Sequence, residues 1–282
     1  MRAGHATRPQ RDPIVLRLGK TVLGTNALLA FAFLYVPILV LIVFSFNESR
    51  SVARWSGFSL EWYQKLFGNE ALLRAARNSL LIAFVSTLAS TAMGTLTALG
   101  IDRYRFRLRN SFDALLYLPI VIPEIVMGIS LLLFFNLALF PLLQALIQVR
   151  PTLGVPTIII AHIAFNIPFV YVVVRARLVG FDRTLEQAAQ DLGANEWRTF
   201  WRITFPLLLP GILGGALLAF TLSLDDFLVT VFTAGTASPT MPLYIYSLIR
   251  RGVTPEINAL STVLLAASMG LVILSLTLQR RR

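Results

Sequence analysis

Residues 24–46 read GTNALLAFAFLYVPILVLIVFSF and contain no Asp, Glu, Lys, Arg or His. As an α-helix with about 1.5 Å rise per residue, the run covers roughly 35 Å, more than the ~30 Å of a bilayer's hydrocarbon core. A basic segment precedes it (MRAGHATRPQRDPIVLRLGK), as in a secretory leader. The apolar run is too long for a leader, however, and Asn47-Glu48-Ser49 follow it instead of a small-residue cleavage site. It reads as a retained membrane span.

Working outward, comparable runs recur at 79–101, 112–138, 157–175, 207–233 and 259–278. The segment 139–156 is also apolar, but Pro141, Pro151, Gly154 and Pro156 break it. It is expected to form a short interfacial helix and loop. The fold class is therefore all-α integral membrane, with about six transmembrane helices. Composition agrees: 56% of residues are hydrophobic, 14% are charged, and the mean hydropathy is +0.72. A soluble domain carries about a quarter charged residues. There is no cysteine, which excludes disulfides and thiolate metal sites.

The net charge of +11 needs no nucleic-acid partner. Most of the 25 Lys and Arg fall in the N-terminus, the 102–111 loop, the 175–206 loop and the C-terminus, which alternate with the spans to one side. The positive-inside rule puts that side, and both termini, in the cytoplasm. The expected organisation is a basic cytoplasmic N-terminus (1–23), a permease domain (24–278) with a cytoplasmic loop at 182–206, and a cytoplasmic tail (279–282).

That loop, FDRTLEQAAQDLGANEWRTFWRITFP (181–206), carries its own order. Thr184 with Gln187 forms a candidate capping box, Leu185 to Ala189 favour helix, and Gly193 suits a helix C-cap. Asn195 is placed to cap a second short helix ending where Pro206 opens the next span. The paired Ala188 and Ala189 leave one flank small enough for close approach by another protein.

The segment resembles the EAA loop of ABC-importer permeases: Gln187-Ala188-Ala189, then Gly193, Ile203 and Phe205-Pro206, with the family's spacing kept throughout. Gln187 replaces the family's Glu, although Glu186 precedes it, and Phe205 replaces Leu. The resemblance implies a type I ABC-importer permease architecture. It implies that Glu186, Gln187, Ala188, Ala189, Asp191, Gly193, Ala194, Ile203 and Pro206 dock the ATP-hydrolysing subunit. No catalytic residues and no cofactor are expected in this chain, since ATP would be bound by the partner. Consistently, Gly19-Lys20-Thr21 lacks the first glycine of a Walker A loop, Ile14 standing in its place. The implied partners are two ABC ATPase subunits, a second and non-identical permease, a periplasmic solute-binding protein and membrane lipid.

Similarity extends along nearly the whole chain to the second permease of spermidine/putrescine importers. It rests on Leu34-Tyr35-Val36-Pro37, Phe44-Ser45-Phe46-Asn47, Phe58-Ser59-Leu60-Glu61-Trp62-Tyr63, Asn78-Ser79, Ser223-Leu224-Asp225-Asp226-Phe227 and Arg251-Gly252-Val253-Thr254-Pro255-Glu256-Ile257-Asn258-Ala259-Leu260. Permeases for ferric iron, opines and other small solutes share much of this pattern, so those cargoes stay open. A stand-alone channel or carrier would not need the loop, and a membrane enzyme would need a catalytic constellation that the spans lack.

Three acids within the spans stand out: Glu124, Asp225 and Asp226. An ionised acid in a span costs about 2.5–3.5 kcal/mol on insertion scales and normally faces a partner or a water-filled cavity. A polyammonium cargo would suit carboxylates along its route. Counted at about 1.5 Å per helical residue, Glu124 falls roughly 18 Å into the membrane and Asp226 roughly 28 Å, and Pro119 and Pro123 are expected to interrupt the helix just before Glu124, as broken helices do where they line cavities. Adjacent helical residues point about 100° apart, so Asp225 and Asp226 cannot share one narrow pore. One of them is therefore expected to cap a helix break or pair with an arginine of the partner permease. Gly211, Gly215, Ala219 and Ser223 form a small-residue packing ridge, His162 reads as a structural hydrogen-bonder, and Trp55, Trp62 and Tyr63 read as an interfacial belt.

Overall fold

The structure is a computed structural model and describes residues 13–50, 54–148, 151–236, 238–252 and 254–279. Arg2, Arg8, Arg11, Arg150, Val253 and Arg280 to Arg282 lie outside the described residues. The helices run in chain order as α1 Pro13–Phe44, α2 Glu61–Phe67, α3 Glu70–Arg103, α4 Arg109–Val121 and α5 Glu124–Phe134. A π-helical turn, Phe135–Leu139, joins α5 to α6 Phe140–Ile147. Then come α7 Val155–Val179, α8 Thr184–Asp191 and α9 Glu196–Thr199, which a second π turn at Phe200–Thr204 joins to α10 Phe205–Asp225. The series ends with α11 Leu228–Thr233, α12 Met241–Arg251 and α13 Pro255–Gln279.

Among the described residues, five helical runs are long and apolar enough to cross a membrane: Lys20–Phe44, Glu70–Arg103, Glu124–Ile147, Val155–Val179 and Glu196–Asp225. At 25 residues, α13 matches them in length.

The run at 112–138 is not one helix. Ile122, which precedes Pro123, is forced into the extended region (φ −68°, ψ 134°), and the helix stops at Val121. A new helix starts at Glu124 and continues past Pro141 to Ile147. Pro141 does not break it because the π turn immediately ahead widens the backbone ring where the pyrrolidine needs room. The interfacial helix and loop expected from 139 is therefore the end of a long helix, closed by Gln148 in the left-handed conformation (φ 59°).

The described residues form two compact units, those within 1–68 and 251–282, and those within 69–250. In the first, α1 and α2 each pack on α13. The turn between α1 and α2 is closed by an isolated antiparallel bridge, Asn47 to Phe58. Asn47 holds it: its Nδ2 donates to the Arg54 carbonyl (2.8 Å), its Oδ1 accepts from the Ser56 amide (2.9 Å), and its carbonyl accepts from Trp62 Nε1 (2.8 Å). Trp62 is 5% exposed, so it is a core residue and not part of an interfacial belt. Tyr63 joins Ser45 by a hydroxyl–hydroxyl bond of 2.7 Å and leans on Phe46.

The second unit is built on α3, α7 and α10. Lipid tails are as apolar as leucine, so close packing of small residues holds such helices together. Gly94 of α3 and Gly215 of α10 both abut Val170 of α7, and Gly211 abuts the Arg177 stem. Ala219 and Ser223 continue that ridge and are buried. Gly128 of α5 receives the Phe232 ring of α11. Asp113, which the sequence reading passes over, lies in α4 and pairs with Arg175 of α7 at 2.5 Å, while Tyr171 donates to the same carboxylate oxygen.

Candidate functional site

The 182–206 segment is anchored by hydrogen bonds that its own sequence supplies. Asp182 Oδ1 accepts from the Thr184 amide at 2.9 Å, so Asp182, not a Thr184–Gln187 capping box, holds the start of α8. That bond holds the Asp182 carboxyl below its ordinary pKa. At the other end Ala194 N–H reaches the Ala189 carbonyl and Gly193 N–H the Gln190 carbonyl, a Schellman closure with Gly193 at φ +86°. Asn195 Oδ1 then accepts from the Arg198 amide at 2.9 Å and starts α9.

Two features differ from the sequence reading. The second short helix does not stop at Pro206: Glu196–Asp225 is one continuous helical run, and the π turn at Phe200–Thr204 just ahead of Pro206 gives the ring room, as the first π turn does for Pro141. Secondly, Glu186 turns inward. Its carboxylate pairs with Arg103 at 2.5 Å and accepts from the Thr204 hydroxyl, and its side chain is 17% exposed. Arg183 adds a 2.6 Å pair to Asp102. The last turn of α3 thus braces the loop through two ion pairs. The partners lie 81 and 83 positions apart, and no local pattern announces them.

Gln187, Ala188, Asp191 and Gly193 stand exposed, while Ala189, Ala194 and Ile203 are half-buried. Leu192 at 90% and Trp197 at 69% exposure lie beside them, Trp197 meeting Trp201 edge-on at 5.7 Å.

A cavity of about 270 Å³ lies where α5, α7, α10 and the α10–α11 break meet. Glu124, Asp225 and Asp226 all line it, together with Phe165, Leu222, Phe227 and Leu228. Glu124 opens α5 after the proline break instead of sitting midway along a helix. Asp226 is committed within its own chain. It accepts from the amides of Val229 (3.3 Å) and Thr230 (2.8 Å) and from the Thr230 hydroxyl (2.6 Å), so it caps α11. Its Oδ2 also lies 3.2 Å from His162 Nε2, with both side chains under 5% exposed. His162 Nδ1 meets Ser223 Oγ at 2.6 Å, which meets Ser86 Oγ at 3.0 Å. This chain of polar contacts ties α3, α10, α7 and α11 together. Asp225 and Glu124 remain exposed at the cavity with aromatic rings nearby; Phe227 meets Tyr246 at a tilt, with ring centroids 4.7 Å apart. Among the described residues no group of three His, Asp or Glu stands close enough to hold a metal ion.

Comparison with known proteins places this geometry. Residues 90–281 match the family model for the binding-protein-dependent transport system inner membrane component. The spermidine/putrescine transport system permease protein PotC of Haemophilus influenzae is 41% identical over 251 residues, 89% of this chain and 93% of that one. PotC of Escherichia coli K12 is 41% identical over 263 residues, 93% of this chain and 96% of that one. The putrescine transport system permease protein PotI of the same strain is 42% identical over 241 residues, 85% of this chain and 84% of that one. Among solved structures, a bacterial ABC transporter involved in import of the acidic polysaccharide alginate superposes with a TM-score of 0.72 at 22% identity, covering 94% of this chain and 95% of that one. The MetNI methionine ABC transporter, in an inward-facing conformation, gives 0.57 at 16% identity, covering 72% and 92%. The chain belongs to the family of binding-protein-dependent transport system inner membrane components, the multi-pass permeases of ABC importers.

Proposed function

We propose that this permease forms half of a polyamine pathway, for spermidine or putrescine, across the bacterial inner membrane by alternating access. Both termini face the cytoplasm. A second, non-identical permease completes the core, a periplasmic binding protein delivers the cargo, and two ATPase subunits bind the ATP and dock on the 182–206 loop. The names of the relatives at 41–42% identity support the cargo.

One observation carries the mechanism. The helical run Glu196–Asp225 starts in the loop and ends at a carboxylate of the cavity. Movement imposed on the exposed Gln187, Ala188 and Gly193 surface passes through the Glu186–Arg103 brace and along that helix to Asp225. Glu124 and Asp225, which line the cavity beside Phe165 and Phe227, offset the lost hydration of ammonium groups.

The test is ATP-dependent uptake of radiolabelled putrescine and spermidine into vesicles carrying the complete importer, with unlabelled amino acids and iron as competitors. Saturable polyamine uptake, abolished by Gly193→Asp, supports both cargo and docking loop. ATPase activity with uptake of neither polyamine would keep the importer and overturn the cargo.

A further inference from the structure

A second cleft, of about 540 Å³, lies at the opposite end of α3 from the 182–206 loop. Arg74, Arg77 and Asn78 form one wall and Val155, Ser238 and Pro239 the other. Its floor is fixed: Asn78 Nδ2 donates to the Pro239 carbonyl at 2.9 Å, and Ser79 Oγ accepts from the Met241 amide at 2.8 Å. Both arginines are exposed, and among the described residues neither forms an ion pair. Glu70 stands one turn further out on the same helix and lies within ion-pair distance of neither.

Two guanidinium groups three residues apart share a helix face and repel each other unless an anion lies between them. A cationic cargo would be repelled by them as well, so the cleft is no entrance for it. Below the arginines the same face of α3 is apolar and uncovered: Leu81, Phe84 and Leu88 are 43%, 60% and 58% exposed. The opposite face, with Ala75, Ile82 and Ser86, is the packed one. From Arg77 to Leu88 is roughly 16 Å along the axis, about the depth of one leaflet's hydrocarbon. A charged fork above an apolar track of leaflet depth matches a phospholipid, phosphate above and acyl chain below.

We propose that this cleft binds the phosphate of an anionic phospholipid, with an acyl chain lying along Leu81, Phe84 and Leu88. The experiment uses the complete importer in nanodiscs of phosphatidylcholine containing phosphatidylglycerol, followed by mild delipidation and native mass spectrometry. The wild-type complex is expected to retain phosphatidylglycerol over phosphatidylcholine. The Arg74→Gln/Arg77→Gln variant is expected to lose roughly tenfold or more of that preference, since each cation near a membrane surface is worth about 1 kcal/mol of attraction to anionic lipid. An unchanged melting temperature in pure phosphatidylcholine shows that the fold is intact. If the double variant does not assemble, the single variant Arg77→Gln is read the same way. Equal retention by variant and wild type overturns the proposal. Displacement of the lipid by millimolar inorganic phosphate would make it a free-anion site instead. Loss of binding-protein-stimulated ATPase with lipid retention unchanged would assign the arginines to acids of the binding protein.

Discussion

Asp225 and Asp226 are neighbours with opposite duties. Asp226 is enclosed by Thr230, Val229 and His162 and holds the start of α11, whereas Asp225 stands open to the cavity. Asp226→Asn should therefore lower stability by about 2 kcal/mol, the scale for losing hydrogen bonds to a charged group, with little change in the KM of whatever assembled complex remains. Asp225→Asn should leave the melting temperature in place and raise the uptake KM several-fold. Thermal unfolding beside uptake kinetics separates the two, and the reverse pattern would exchange their roles. Asp182 offers a pH test. Its carboxyl is held below its ordinary value by the Thr184 amide. The stabilisation of α8 is therefore present above the unfolded value of about 3.9 and lost as pH falls through the lower folded value. Asp182→Ala should speed hydrogen exchange at Thr184 relative to wild type at neutral pH, a difference that shrinks below pH ~4. The sequence shows that two adjacent acids must diverge, because neighbours on a helix point apart. It does not show which acid is committed, because His162 lies 64 positions away and only the tertiary fold brings it to Asp226.

At the scale of elements, apolar runs and caps were readable wherever one local rule acted alone. Asn195 and Gly193 do what their chemistry dictates. Sequence and structure part where two local rules compete. Proline marks a break at Pro123, where its neighbour has no relief, but not at Pro141, where a π turn supplies it. The resemblance points Glu186 at the ATPase partner, whereas Arg103 and Thr204 draw it inward. Glu186→Gln should thus uncouple the permease: ATP hydrolysis by the assembled complex persists while uptake falls at least several-fold, with no more than about 1 kcal/mol lost in stability because Arg103 is partly hydrated. Retained uptake would remove the brace from the mechanism. The small-residue ridge has a mate on α3. A Cβ on Gly94 would stand 2.8 Å from the Val170 Cβ and 3.0 Å from the Ile167 carbonyl. Gly94→Val should part α3 from α7 and destabilise by about 1–3 kcal/mol or more, visible as a lower melting temperature of the complex.

For the whole molecule, class and membrane character follow from apolar runs that no soluble fold could bury. The assembled cavity follows from residues some hundred positions apart, Glu124 and Asp225, and needs the fold to bring them together. The unbroken run Glu196–Asp225 is 30 residues, hence about 45 Å from end to end. Treated as a rigid rod pivoting near its loop end, it turns a swing of about 5° into an arc of about 4 Å at the far tip. That arc exceeds the length of a hydrogen bond, so a small rotation imposed at the loop end is enough to carry a carboxylate from one contact to the next, with no rotamer flip in between.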